Sequence, residues 1–295
     1  MKNIIIAILF ISCYVFNQEA IAQKISIKPA VEICLGSPLS FDSSLNYLNS
    51  KSSSAEFGVD FGYTFFTKTN NRLEMNIGLG YRYINSKLNA GDFGYDYAAT
   101  APADMDGNAY TRFCEVGGLE QTVNTAYITI PIYLQYAYRA TNWLEVQALV
   151  GVKLGFNTGS TAKTTSGSVY SYGVFPEYDN LMIDAPYLDD FGNVQLAGKE
   201  SDAKANTFAC WGLVGAGVSG HIYGPLWIDI GVRYNIGFSD VFKKGLSISN
   251  DRFTADTAPV TYTVANGTQV KPLSDYLTRS TLSLLSLNIG LTLRF

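Results

Sequence analysis

From position 285 to the end, apolar and polar side chains alternate without a break. Leu285, Leu287, Ile289, Leu291, Leu293 and Phe295 form one set; Ser286, Asn288, Gly290, Thr292 and Arg294 form the other. A period of two assigns each set to one face of a β-strand. Seven earlier segments follow the same rule, at about 24–36, 55–66, 73–84, 125–139, 143–156, 207–223 and 226–238, and the last spans about 279–295. In the second, Phe57, Val59, Phe61, Tyr63 and Phe65 oppose Glu56, Gly58, Asp60, Gly62 and Thr64. Each segment reaches the ~9–11 residues that a tilted membrane strand needs.

The connections sort by length. Thr67 to Arg72, Thr141-Asn142 and Gly224-Pro225 are short; the alternate connections, 37–54, 85–124, 157–206 and 239–278, are long. Short turns on one side and long loops on the other mark an outer-membrane barrel, with turns periplasmic and loops external. The predicted fold is therefore all-β, a closed antiparallel transmembrane β-barrel of eight strands. Ten strands are the alternative, if a crown hairpin joins the wall; Asn266-Gly267, between 260–264 and 268–270, is such a hairpin signal. Phe57, Tyr81, Tyr83, Phe156 and Phe238 fall at the external ends of their strands, and Phe65, Tyr138, Trp143 and Phe295 at the periplasmic ends, as two aromatic girdles.

The opposite face predicts the lumen. It holds the acids Glu32, Glu56, Asp60, Glu74, Glu145 and Asp229 and the bases Lys28, Arg82, Arg139, Lys153, Arg233 and Arg294. Eight strands enclose only enough room for side chains. Charges packed there must pair, because an unpaired buried charge is very costly. Glycines such as Gly58, Gly62, Gly78, Gly80 and Gly151 share this face and make space. The expectation is a salt-bridged plug, not a pore.

The N-terminus agrees with export. Lys2, an apolar stretch from Ile4 to Phe16, and Ala20-Ile21-Ala22 read as a signal peptide over 1–22, followed by a barrel domain over 23–295. Lipidation at Cys13 is the alternative. Charged residues make up 16%, with 20 Tyr and 17 Phe, and mean hydropathy is only +0.08, as alternating strands require. The net charge of −4 argues against nucleic acid as a partner. After removal of Cys13, Cys34, Cys114 and Cys210 form an odd set. Free thiols are expected, with a disulfide at Cys114 as the alternative.

The Ala-Ile-Ala-Gln junction, the run Tyr127-Ile128-Thr129-Ile130-Pro131-Ile132-Tyr133-Leu134 and the Leu287 to Phe295 ending resemble the PorT-like outer-membrane β-barrel family. The resemblance covers the whole mature chain. It implies an eight-stranded barrel of a Gram-negative outer membrane, without shared catalytic residues, and a link of some members to protein secretion. Pro131 inside a strand predicts a bulge or a missing ladder bond.

Three features suggest chemistry. Ser219 and His221 share one strand face, as the nucleophile and base of a lipid-modifying enzyme would. Both should point into the lumen at the periplasmic end, which favours a hydrogen-bonded histidine instead. Asp104, Asp106, Asn108 and Glu115 occupy calcium-loop spacing, but Ala109 replaces the required glycine. The third loop joins Glu177, Asp179, Asp184, Asp189, Asp190, Glu200 and Asp202 to Tyr170, Tyr172, Phe175, Tyr178, Tyr187 and Phe191. That mixture suits either a protein or glycan contact or a self-packed lid. No catalytic, cofactor or metal residue is assigned and no cofactor is expected. The expected protein is non-enzymatic, with outer-membrane lipids and a protein or glycan at its loops as partners. Its alternatives are a secretion accessory and a lipid-modifying enzyme.

Overall fold

The structure is a computed structural model. It describes residues 24–36, 39–41, 48–103, 109–179, 181–183, 191–243, 258–263 and 267–295. The expected signal peptide and Cys13 lie outside the described residues.

Eight long strands build the wall: β1 (Ile25–Gly36), β2 (Leu48–Lys68), β3 (Asn71–Ala90), β4 (Ala109–Arg139), β5 (Leu144–Phe175), β6 (Phe208–Tyr223), β7 (Leu226–Gly237) and β8 (Leu284–Arg294). Each pairs antiparallel with its sequence neighbours. β1 also pairs with β8, Ile27 opposite Leu293 and Ile33 opposite Leu287, and the ring closes at eight. The hairpin Val260–Thr263 with Gly267–Val270 forms as expected but pairs only with itself, so the ten-strand alternative falls. Asn266 lies outside the described residues. Pro131 behaves as a proline inside a strand must. The β3–β4 ladder runs from Ile77–Ile132 directly to Gly80–Thr129 and skips Ile130 and Pro131.

The long connections are corrected. Much of 48–54, 85–90, 109–124 and 157–175 is wall strand, not loop. β5, with 32 residues, measures roughly 100 Å along the chain at ~3.3 Å per residue. That is far more than a bilayer spans, so the barrel stands well above the membrane. A further strand, Phe93–Ala103, extends the wall by pairing with β4, while Gly192–Gln195 and Glu200–Asp202 pair with β5. At the other margin, β8 starts at Leu284 rather than 279, because Leu277–Arg279 pairs with Ser40–Phe41.

The wall changes character with height. In the lower half Phe61, Ile77, Leu79, Leu134, Val150, Ile230 and Ile289 point outward and are exposed. Above them the outward positions become Lys51, Ser53, Lys87, Glu120, Thr161 and Lys163. Inward, the order reverses. Glu32, Glu56, Arg82 and Lys153 lie buried below, and Leu88, Ala90, Leu119, Val123, Ala162 and Val169 above. Lipid thus meets apolar side chains, and water meets polar ones, along the same strands. Most girdle aromatics are exposed as expected, among them Phe57, Tyr83, Phe156, Phe238, Phe65, Tyr138 and Trp143. Phe295 is the exception: it is buried, hydrogen-bonded through its backbone to Ile25 at the β1–β8 seam.

Candidate functional site

Side chains fill the lumen in layers. In the middle, Arg82 of β3 donates from Nε to Glu56 Oε2 of β2 at 2.6 Å and from Nη2 to Glu32 Oε1 of β1 at 3.2 Å. Lys153 of β5 reaches the same two carboxylates at 3.1 and 2.9 Å. Asn235 of β7 donates to Glu32 at 2.7 Å, and Thr129 of β4 to Glu56 at 2.7 Å. Arg233 of β7 adds a third cation, 3.6 Å from Glu32 Oε2. One cluster cross-links six strands, and its carboxylates are satisfied as burial requires. Glycines provide the space: a Cβ on Gly80 would stand 2.6 Å from Thr129 Oγ1 and 2.9 Å from Glu56 Oε1.

Below this layer, Lys28 Nζ meets Glu74 Oε1 at 2.9 Å and Gln135 Oε1 at 2.8 Å, and the Tyr133 hydroxyl donates to Asp60 at 2.7 Å. The void beside Lys28, Asp60, Tyr133 and Arg233 measures about 30 Å³, room for a water or two. At the periplasmic mouth Glu145 binds Arg72 at 3.1 Å, Arg139 at 3.2 Å and Arg294 at 2.8 Å. Arg72 falls outside the expected lumen set, because the expected strand begins at 73. Its parity with Glu74 and Asn76 is the signal that places it there.

Above the ionic layer the described parts of the segment between β7 and β8 fold back into the barrel. Val241, Phe242, Val260, Leu273, Tyr276, Leu277 and Leu282 pack against Leu88, Leu119, Val123, Tyr127 and Trp211. Polar contacts pin this apolar stopper. Trp211 Nε1 donates to the Leu282 carbonyl at 3.1 Å, and Tyr95 donates to the Val260 carbonyl at 2.6 Å. Gln121 accepts from the Leu273 N–H at 2.6 Å and donates to the Lys271 carbonyl at 2.9 Å. The Arg82 guanidinium lies 5.0 Å from the Trp211 ring centroid, and there the charged and apolar layers touch.

The suggested chemical features separate. Ser219 is buried and donates to Asp229, while His221 is exposed, with Nε2 2.8 Å from the Gly224 carbonyl oxygen. No hydrogen bond joins Ser219 to His221 among the described residues. His221 lies at the periplasmic rim, where it packs against Trp227 and lines the mouth of the lumen. Asp104, Asp106 and Asn108 lie outside the described residues, and Glu115 is an exposed member of β4, opposite Gly94 and Tyr170. In the third loop Phe175 and Phe191 pack with Tyr110 as a small apolar cluster, the arrangement of a self-packed lid. Tyr178, Asp179, Glu200 and Asp202 are exposed beside it. Asp184, Tyr187, Asp189 and Asp190 lie outside the described residues. Cys34, Cys114 and Cys210 are free thiols, and burial pushes the Cys114 thiol up to about 11.

A family model described as outer membrane protein beta-barrel domain matches residues 22–243. No curated protein matches the chain. Among solved structures, Ail, the attachment invasion locus protein of Yersinia pestis, is 9% identical, with 93% of this chain and 99% of that chain covered and a TM-score of 0.33. Neisserial surface protein A is 13% identical, with 92% and 97% covered and a TM-score of 0.34. The translocator domain of the autotransporter NalP from Neisseria meningitidis is 10% identical, with 100% and 95% covered and a TM-score of 0.25.

Proposed function

The chain belongs to the outer membrane protein β-barrel domain family, and from that premise we propose that it is a non-enzymatic, non-conducting barrel that acts through its extracellular crown. It resides in the outer membrane. The observation that carries the reading is the double seal, an ionic layer under an apolar stopper, which leaves the crown as the large surface offered to the outside. Tyr178, Glu200 and Asp202 are exposed there and suit a protein or glycan partner. Residues 1–22 act as the cleaved export signal in this proposal. The test has two parts. Purified protein in planar bilayers gives no steady conductance, and photocrosslinkers at exposed crown positions of intact cells capture one recurrent surface partner. Stable channels, or crosslinks only to lipid, overturn the reading.

The PorT-like resemblance in Tyr127–Leu134 keeps a secretion role as the second reading. A deletion strain that loses many secreted proteins but keeps its surface contacts favours it over the first. The lipid-modifying reading predicts an altered lipid A profile in His221→Ala cells, and an unchanged profile removes it.

A further inference from the structure

The periplasmic mouth has the features of a binding site in its own right. It is a cavity of about 350 Å³ between the Thr69-Asn70 and Gly224-Pro225 turns, a volume within the ~300–1,000 Å³ of small-ligand pockets. Arg72, Arg139 and Arg294 line it from β3, β4 and β8, with Glu145, Asn70, Asn71, Thr67, Thr69, His221 and Trp227. The three guanidiniums share a single carboxylate, Glu145.

Charge does not balance at this end. At the mouth itself Arg72, Arg139 and Arg294 stand against one carboxylate within 3.2 Å, Glu145, while Lys28, Asp60, Glu74 and Asp229 lie further in. Glu74 is held closer by Lys28, at 2.9 Å, than by Arg72, at 3.8 Å. Asp229 accepts from the Ser219 and Thr292 hydroxyls, deeper in the barrel. The surplus positive charge therefore collects at the mouth. Donors are in surplus too: Arg72 Nε, Arg294 Nε and Arg294 Nη1 are buried without a hydrogen-bond partner. The Arg294 guanidinium cannot swing freely, because it is stacked 4.0 Å from the Trp227 ring centroid.

We propose that this vestibule binds a phosphate group from the periplasm. A planar carboxylate is satisfied by one or two guanidinium forks, and Glu145 already fills that role. Donors that converge from three strands match a tetrahedral oxyanion, whose oxygens point in several directions and whose charge of about −1.5 to −2 meets the surplus. The neighbouring hydroxyls of Thr67 and Thr69 and amides of Asn70 and Asn71 supply neutral donors at the entrance. The source is either free phosphate or the phosphate ester of an envelope molecule.

Calorimetric titration of the detergent-purified full chain at constant ionic strength tests this. Inorganic phosphate binds saturably, one per barrel. Arg139→Gln, at a half-exposed side chain whose loss leaves the wall intact, weakens binding about tenfold or more, the effect of one charge-assisted hydrogen bond. Arg72→Gln does the same, and circular dichroism confirms that each variant is folded. Glycerol 3-phosphate provides the second arm: comparable affinity assigns an esterified ligand, and failure to bind assigns free phosphate. Absence of saturable heat, equal affinity for succinate, or unchanged affinity in both arginine variants overturns the proposal.

Discussion

Arg82 is the residue on which the ionic layer turns. It is fully buried, donates to two carboxylates and faces the Trp211 ring. Loss of one partner from such a cluster costs more than loss of a matched pair, since the residual charge stays buried. Arg82→Met is expected to destabilise the barrel by about 3–5 kcal/mol. The double change Arg82→Met/Glu56→Met should cost clearly less than the single one, measured by guanidinium unfolding from micelles. Gly151 makes a second prediction. A Cβ there would lie 2.2 Å from the Ile132 carbonyl oxygen and 2.4 Å from Tyr133 Cβ, whereas Gly159 has open space. Gly151→Ala should therefore cost about 1–3 kcal/mol, and Gly159→Ala nearly nothing, in the same unfolding assay. The lumen residues were legible because alternation fixes their parity. Arg72 was not, because a strand drawn to begin at 73 leaves it in a turn.

Strands raise a different question: why the membrane half was legible and the upper half was not. In the segment 73–84 the faces contrast sharply, with Met75, Ile77 and Leu79 against Glu74, Asn76 and Gly78. Above it, Asn85, Lys87 and Asn89 alternate with Ser86, Leu88 and Ala90, so the contrast is weak and its sign is reversed. Residues 157–166 are entirely Asn, Gly, Ser, Thr, Ala and Lys, the composition of a loop. They are strand because β4 supplies a ladder along their length and Glu200–Asp202 pairs with Thr161–Lys163 on the other edge. The inversion predicts opposite tolerance on one face of one strand. Ile77→Arg should cost about 2–4 kcal/mol, the depth-dependent penalty for a cation facing lipid. Asn89→Arg, outward on β3 but above the membrane, should be close to neutral. Folding yield into lipid vesicles separates the two, and equal yields would mean that the lipid boundary has been placed wrongly.

At the scale of the whole molecule, the two seals differ in what they need. The ionic layer is built from six wall strands and asks nothing of the β7–β8 connection. The apolar stopper belongs to that connection, and its packing against Trp211, Tyr127, Leu119 and Val123, with the hydrogen bonds from Trp211, Tyr95 and Gln121, holds it in the barrel. β7 and β8 are hydrogen-bonded neighbours up to Asn235 and Leu284, so a short Asn-Gly turn can replace residues 239–282 without breaking the ring. Such a variant loses the apolar core of the crown and exposes Trp211, and it should unfold at a lower temperature than the parent chain. It should still close its ring and still fail to conduct, because Arg82, Lys153, Glu32 and Glu56 fill the section beneath. Conductance should appear only when the deletion is combined with replacement of those four side chains by Ala or Ser. Bilayer recordings of the three proteins, the parent, the deletion and the combination, check the order of events. A deletion variant that conducts on its own would assign the seal to the stopper, and the charged layer would then be a device for holding the wall strands in register.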